Sequence, residues 1–222
     1  MAGLKTRIIA RLLALPAVVY LLLFLPAGTF DFWQVYVYFG VILTLALGAM
    51  AYFLKHDPEL LERRLRTREK QGTQQAVVFS LLIVVVLGIV MPGLDRRFGW
   101  SEVPTVVVLL ADAVVAASYL FTALVMKTNS YASRIVEVEE DQRLVRTGPY
   151  AVVRHPMYAS AAVMFFATPI ALGSWWGLLP MAVVPMILVP RILNEEKVLR
   201  GGLEGYNDYC DEVRWRILPL VW

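Results

Sequence analysis

The chain has 222 residues, of which 59% are hydrophobic and only 18% charged, with a formal charge of +3. These fractions lie outside the range of soluble domains and place it among integral membrane proteins. The single cysteine, Cys210, excludes an internal disulfide framework, and two histidines without a cysteine cluster offer no metal-ligand spacing, so no zinc or iron centre is expected.

In chain order, apolar runs over residues 7–26, 32–54, 75–91 and 103–126 each approach the roughly 20 residues that cross a hydrocarbon core of about 30 Å. Lys5, Arg7 and Arg11 open the first run as they would a signal peptide, but no A-x-A cleavage pattern follows, and the run is read as a retained span. Between the second and third runs, HDPELLERRLRTREK places Asp57 as an N-cap and Pro58 at the first helical position. That stretch fits a short interfacial helix and equally a solvated connector held near anionic lipid by its basic residues. A polar segment from Lys127 to His155, with the alternating RIVEVE of Arg134 to Glu139, precedes two shorter apolar runs over 156–172 and 175–190. Only GSW separates these, which fits a tight helical hairpin. The remaining chain continues the last span, becomes amphipathic, and has Gly201 and Gly202 as a helix stop.

Six crossings put every Lys and Arg except Arg96 and Arg97 on one side of the membrane. Because basic loops resist translocation, both termini are predicted to be cytoplasmic. Basic residues confined to loops point to a bilayer and not to nucleic acid. The expected fold is therefore all-α: a polytopic membrane protein of about six transmembrane helices, including a C-terminal helical hairpin. Residues 1–126 would form a four-helix transmembrane region and residues 127–222 a cytoplasmic-side catalytic region, together one integrated domain.

Two polar clusters carry the candidate chemistry. In GPYAVVRHPMY, Pro156 lacks an N–H and disfavours an α conformation at His155, so Arg154 and His155 should be extended and a helix should start at Pro156. Its N-terminus suits a carboxylate or phosphate, with Arg154 and His155 adding charge or donors and Tyr150 and Tyr158 adding aromatic surface. An interfacial belt that merely anchors a helix end fits the same residues. In RILNEE, Arg191 and Glu195 are four apart and share a helical face, whereas Glu196 points elsewhere. Alone this is an ordinary i,i+4 ion pair; it gains weight by following Pro190 at the same membrane border as Arg154 and His155. Asp112, inside the fourth span, is either a functional intramembrane acid or, given its closeness to Pro104, a hydrated outer residue. His56 reads as a loop residue, and GGLEG lacks the order and the preceding strand of a phosphate loop.

Together, LVRTGPYAVVRHPMY, the hydrophobic hairpin, RILNEEKVL and YNDYCDEVRWRILP resemble the isoprenylcysteine carboxyl methyltransferases and their bacterial and archaeal relatives, over residues 142–219. The wider group includes phospholipid N-methyltransferases, thiol methyltransferases and, more distantly, sterol reductases using NADPH, which usually carry Asn where this chain has Met157. The resemblance implies S-adenosylmethionine in a cytoplasmic-side pocket. Gln142, Arg143, Leu144 and Val145 would line it ahead of Tyr150, and His155, Pro156, Met157 and Tyr158 would form the other wall. Arg191 and Glu195 match the pair that positions substrate near the reacting group. The implied activity is carboxyl O-methylation of a lipophilic, isoprenylcysteine-like or prenylated substrate, with a phospholipid amine or small thiol as the alternative acceptor. Methyl transfer from a sulfonium is an in-line displacement that needs alignment and no metal, and a carboxylate with a pKa of about 4 is already ionised at neutral pH.

Overall fold

The computed structural model describes residues 2–65, 72–131, 138 and 142–222. Arg66, Arg68, Lys70 and, apart from Val138, the RIVEVE stretch lie outside the described residues. Helix α1 (Ala2–Val19) runs through a π-helical turn (Tyr20–Phe24) into α2 (Leu25–Ala27), followed by α3 (Trp33–His56), α4 (Pro58–Leu65), α5 (Gly72–Phe98) and α6 (Thr105–Thr128). A 3₁₀ turn (Gly148–Ala151) leads to α7 (Pro156–Ala171), α8 (Leu178–Met181), α9 (Val184–Gly202) and α10 (Tyr206–Glu212). The described residues contain no strand, and the all-α polytopic class is borne out.

Four helical stretches are long and apolar enough to cross a membrane: α3, residues Gln74–Phe98 of α5, α6, and Leu178–Gly202 across α8 and α9. The other two expected crossings are shorter apolar helices, Leu13–Ala27 and Pro156–Ala171. The second arm of the hairpin is not one straight rod. Gly173 turns the chain at φ +78°, and α8 is separate from α9. Pro180 and Pro185 have no N–H to give to the preceding turn, so the helix breaks and restarts.

Helices α6 and α7 form the centre of the bundle. Ala111 and Val115 meet Ala167 and Ala171, and these small side chains let the two backbones approach. Nearer the start of α7, Ser160 Oγ donates to the Ser118 carbonyl (2.6 Å) and shares a hydrogen bond with Thr122 Oγ1 (2.7 Å). These bonds fix Pro156 beside the C-terminal end of α6. On the other flank α5 crosses the π-helical turn and α2 so closely that a Cβ on Gly93 would lie 2.7 Å from the Leu23 carbonyl and 3.0 Å from Pro26 Cβ.

The stretch after α3 is a helix docked on protein. Asp57 Oδ1 accepts from the Leu60 N–H (3.0 Å), Leu60 is fully buried, and Arg63 donates to the Ser130 carbonyl (3.1 Å) with its guanidinium over the Tyr131 ring. Residues 58–65 are thus a short helix packed on the protein, and the solvated-connector reading is set aside there. Asp112 is buried, which removes the hydrated outer location as its explanation. At the end of the bundle opposite His155, Asp95 is satisfied by the Ser101 N–H and the hydroxyls of Ser101 and Ser174.

Candidate functional site

The site begins where main-chain chemistry forces a helix to start. His155 lies outside the α region, as the following proline requires, but with φ −125° and ψ 61° it is not the extended residue expected; the Arg154 and His155 N–H groups donate to the Trp215 and Arg216 carbonyls (2.9 and 2.8 Å). The C-terminal strip therefore braces the segment before α7, whose first-turn N–H groups at Met157 and Tyr158 have no acceptor within the helix. One turn earlier, Gly148 starts the 3₁₀ turn at φ +61°, a left-handed conformation that favours glycine. Tyr150 is then clasped from two sides: its carbonyl accepts from Tyr209 (2.7 Å) and its hydroxyl from Asn129 Nδ2 (3.1 Å). Burial pushes the Tyr150 phenol up to about 12, so this ring is neutral at physiological pH.

A cavity of about 570 Å³ opens between these elements, within the size range of small-molecule sites. Gln142, Arg143, Leu144, Val145, Tyr150, His155, Pro156, Met157, Tyr158, Arg191 and Glu195 all line it, so the structure brings together the residues expected to hold cofactor and substrate, while Asp112 and His56 lie elsewhere. Further along α7 and back along α9 the lining turns apolar, through Ala161, Met164, Phe165 and Leu188, joined by Val78 and Leu81 from α5. The cavity thus has a polar head and an apolar floor directed into the bundle.

At the head, Tyr158 joins the Arg191–Glu195 face. Its hydroxyl donates to Glu195 Oε2 (2.6 Å) and accepts from Arg191 Nε (2.9 Å), while Arg191 Nη1 donates to Gln74 Oε1 (2.9 Å). Two neutral groups, the Tyr158 hydroxyl and the Gln74 amide, thus help to hold this buried guanidinium. Such an arrangement can bind an oxyanion and orient it.

Behind the cavity lies a different kind of cluster. Glu196 is 3% exposed and pairs with Arg154 Nε (2.9 Å) and with both Nε and Nη2 of Arg216 (3.1 Å each); His155 Nε2 lies 3.3 Å from the same carboxylate. Arg154 also donates to the Cys210 carbonyl (3.2 Å). The expectation that Arg154 adds charge or donors for a bound anion is corrected as to charge: Arg154 is among the lining residues, but its guanidinium is paired with Glu196, because a buried charge must find its counter-ion. His155 spans both settings, with Nδ1 3.9 Å from Glu195.

Sequence reasoning missed Glu196, Arg216 and Gln74 as members of this assembly. The signal for Glu196 was the doubled acid in RILNEE, which had to face two environments. Gln74 is 117 residues from Arg191, and the Gln74–Gln75 pair before an apolar run reads as interface polarity. His56 is exposed, bonded through Nδ1 to the Tyr52 carbonyl and stacked on the Tyr52 ring, apart from the cavity. Among the described residues no cluster of His, Cys, Asp and Glu has metal-ligand geometry.

No curated protein matches the chain. Residues 106–203, a little under half of the chain, match the family described as phospholipid methyltransferase. That stretch runs from the start of α6 to the end of α9, so it contains the residues of the cavity's polar head from Tyr150 to Glu195 and leaves Gln74 and α1 to α5 outside. The likeness is thus to a group of membrane methyltransferases, over the part of the chain that builds most of the cavity.

Proposed function

We propose that this protein is an S-adenosylmethionine-dependent methyltransferase acting on a lipophilic acceptor at the cytoplasmic border of the membrane. The observation that carries the reading is one cavity with a polar head and an apolar floor, lined by all the residues expected to hold cofactor and substrate. The match of residues 106–203 supports methyl transfer as the chemistry.

Gln142 to Val145, Tyr150 and His155 to Tyr158 would hold the cofactor. The unpaired first-turn N–H groups of α7 suit its carboxylate, and the neutral Tyr150 ring suits a sulfonium. When bound, the cofactor supplies a methyl group on a positively charged sulfur, and the protein's work is then to hold a nucleophile in line with it. Arg191 would orient the acceptor's anionic oxygens. Glu195, sharing the Tyr158 hydroxyl with Arg191, would temper the pairing so that a carboxylate oxygen keeps its nucleophilicity.

The acceptor we favour is the carboxylate of an isoprenylcysteine-like lipid, since a carboxylate needs no base and Arg191 stands ready to align it. A second reading, a phospholipid amine, is favoured by the description of the matching family. In that case Arg191 would take the phosphate, and Glu195 would be the acceptor for the proton the ammonium must lose before it attacks.

Purified protein should give a saturable heat with S-adenosylhomocysteine that NADPH does not compete away. Absence of that heat would sink the methyltransferase reading. A labelled-methyl screen of N-acetyl-S-farnesylcysteine, phosphatidylethanolamine and a small thiol then decides the acceptor. Base-labile label identifies a methyl ester, and stable label in the lipid identifies N-methylation.

A further inference from the structure

Apart from the proposed catalytic cavity, a groove of about 360 Å³ runs between α3 and α6. Its lining includes the small side chains of Gly48, Ala49 and Ala123, and a Cβ added to Gly48 would meet nothing within 4 Å, so the groove is open there. Of the four spanning stretches, α3 is the one least covered by protein. The lining extends from Thr44 to Phe53 on α3 and from Tyr119 to Lys127 on α6, about 12–14 Å along each helix. That is close to half of a hydrocarbon core of about 30 Å, the depth of one leaflet. A transmembrane helix from a second copy would need the full depth, whereas one acyl chain fits this length.

The groove ends in charge. Lys127 lines it in the last turn of α6, with Nζ 5.7 Å from the centroid of the Tyr52 ring. Among the described residues Lys127 is exposed and has no carboxylate partner. Two residues on, Asn129 bonds the Tyr150 hydroxyl, which puts this end of the groove at the same border of the bilayer as the cavity's polar head. We infer that the groove between α3 and α6 binds one anionic phospholipid of that leaflet, its acyl chain along Gly48 and Ala123 and its phosphate on Lys127. The Tyr52 ring, stacked on His56 with centroids 4.3 Å apart, holds the ammonium at the mouth of the groove. Because a cation already occupies that ring, the choline of a zwitterionic lipid would meet a like charge in place of an aromatic face. The site stands independently of the methyltransferase reading.

The test uses full-length protein in detergent, titrated with dioleoylphosphatidylglycerol or dioleoylphosphatidylcholine, the bound lipids being counted by native mass spectrometry. The first phosphatidylglycerol should bind about fivefold more tightly than the first phosphatidylcholine, the worth of one lysine at an anionic surface. Lys127→Gln should abolish that preference. Arg200→Gln, which removes a charge in the last turn of α9 outside the groove, should leave it intact. Gly48→Leu directs its side chain into the open groove and should weaken phosphatidylglycerol at least as much as Lys127→Gln, with the thermal midpoint kept. If Gly48→Leu lowers the midpoint, Lys127→Gln decides alone, since its position is exposed. Wild-type phosphatidylglycerol affinity in Lys127→Gln or in a stable Gly48→Leu overturns the site. Equal losses in Lys127→Gln and Arg200→Gln reveal a diffuse attraction to the basic end of the bundle and overturn it too. A protomer count that falls in Gly48→Leu would put a second copy on this face and remove the lipid from it.

Discussion

Glu195 and Glu196 are neighbours in the chain, about 100° apart around α9, and they occupy opposite electrostatic settings. Glu196 is sealed among Arg154, His155 and Arg216, its carboxylate engaged by several donors. Glu195 is about a quarter exposed at the cavity and receives the hydroxyl of Tyr158, which in turn accepts from Arg191. The first cluster is saturated with charge and ties four parts of the chain together: the segment before α7, α9, the end of α10 and the C-terminal strip. The second leaves charge facing a space where a ligand fits. A doubled acid at one helix end thus divides into one residue that holds the fold and one that faces the chemistry.

The largest expected effect comes from breaking the sealed side. Glu196→Ala leaves Arg154 buried without its counter-ion, and removing one partner of a buried ion pair costs about 3–5 kcal/mol. Thermal unfolding in detergent should show a large drop and should show it without ligand. Glu195→Gln should leave that midpoint almost unchanged while methyl transfer falls. Equal stability losses in the two variants would erase the distinction between them.

Next in size is the loss of the cavity's cation. Arg191→Ala should reduce methyl transfer to an anionic acceptor by about a hundredfold or more, as removal of a preorganised electrostatic contact does. Nucleoside affinity should change little, because the groups proposed to hold the cofactor are on α7 and the strip before it. Tyr158→Phe is milder. It keeps the ring and both charged residues but removes the hydroxyl between them, so a loss of about tenfold is expected, in line with one hydrogen bond to a charged group. A Tyr158→Phe enzyme with wild-type turnover would mean that Arg191 and Glu195 need no link through this hydroxyl.

The features legible in the sequence were those with local causes. Pro156 sets the start of α7, Asp57 and Pro58 cap α4, and Gly201 and Gly202 stand where α9 stops. His155, Arg191 and Glu195 were legible because their motifs sit at two helix ends that the hairpin returns to the same side, whereas the Gln142–Val145 strip was reached only through the family resemblance. The break between α8 and α9 was written in Pro180 and Pro185 but was masked by a continuous apolar run, whose length suggested one helix. The partners of Glu196 and Arg191 were illegible for a different reason. Arg216 and Gln74 reach them across 20 and 117 residues, and nothing in composition or periodicity specifies which distant polar side chain meets a buried charge.

The smallest effect separates backbone shape from charge. Gly148 holds φ +61° at the turn between the Gln142–Val145 strip and Tyr150, and a Cβ there would stand 3.3 Å from Thr128 Cγ2. Gly148→Ala should cost about 1 kcal/mol for the left-handed conformation. Gly148→Asn should cost less of that backbone strain, since Asn tolerates this region better, although it meets the same methyl group. The turn belongs to the cavity wall and not to the Glu196 cluster. Its strain should therefore appear first as weaker binding of S-adenosylhomocysteine, with Ala worse than Asn, and only slightly in the thermal midpoint. A midpoint that falls with nucleoside affinity intact would place the turn on the sealed side of the molecule and remove it from the cofactor wall.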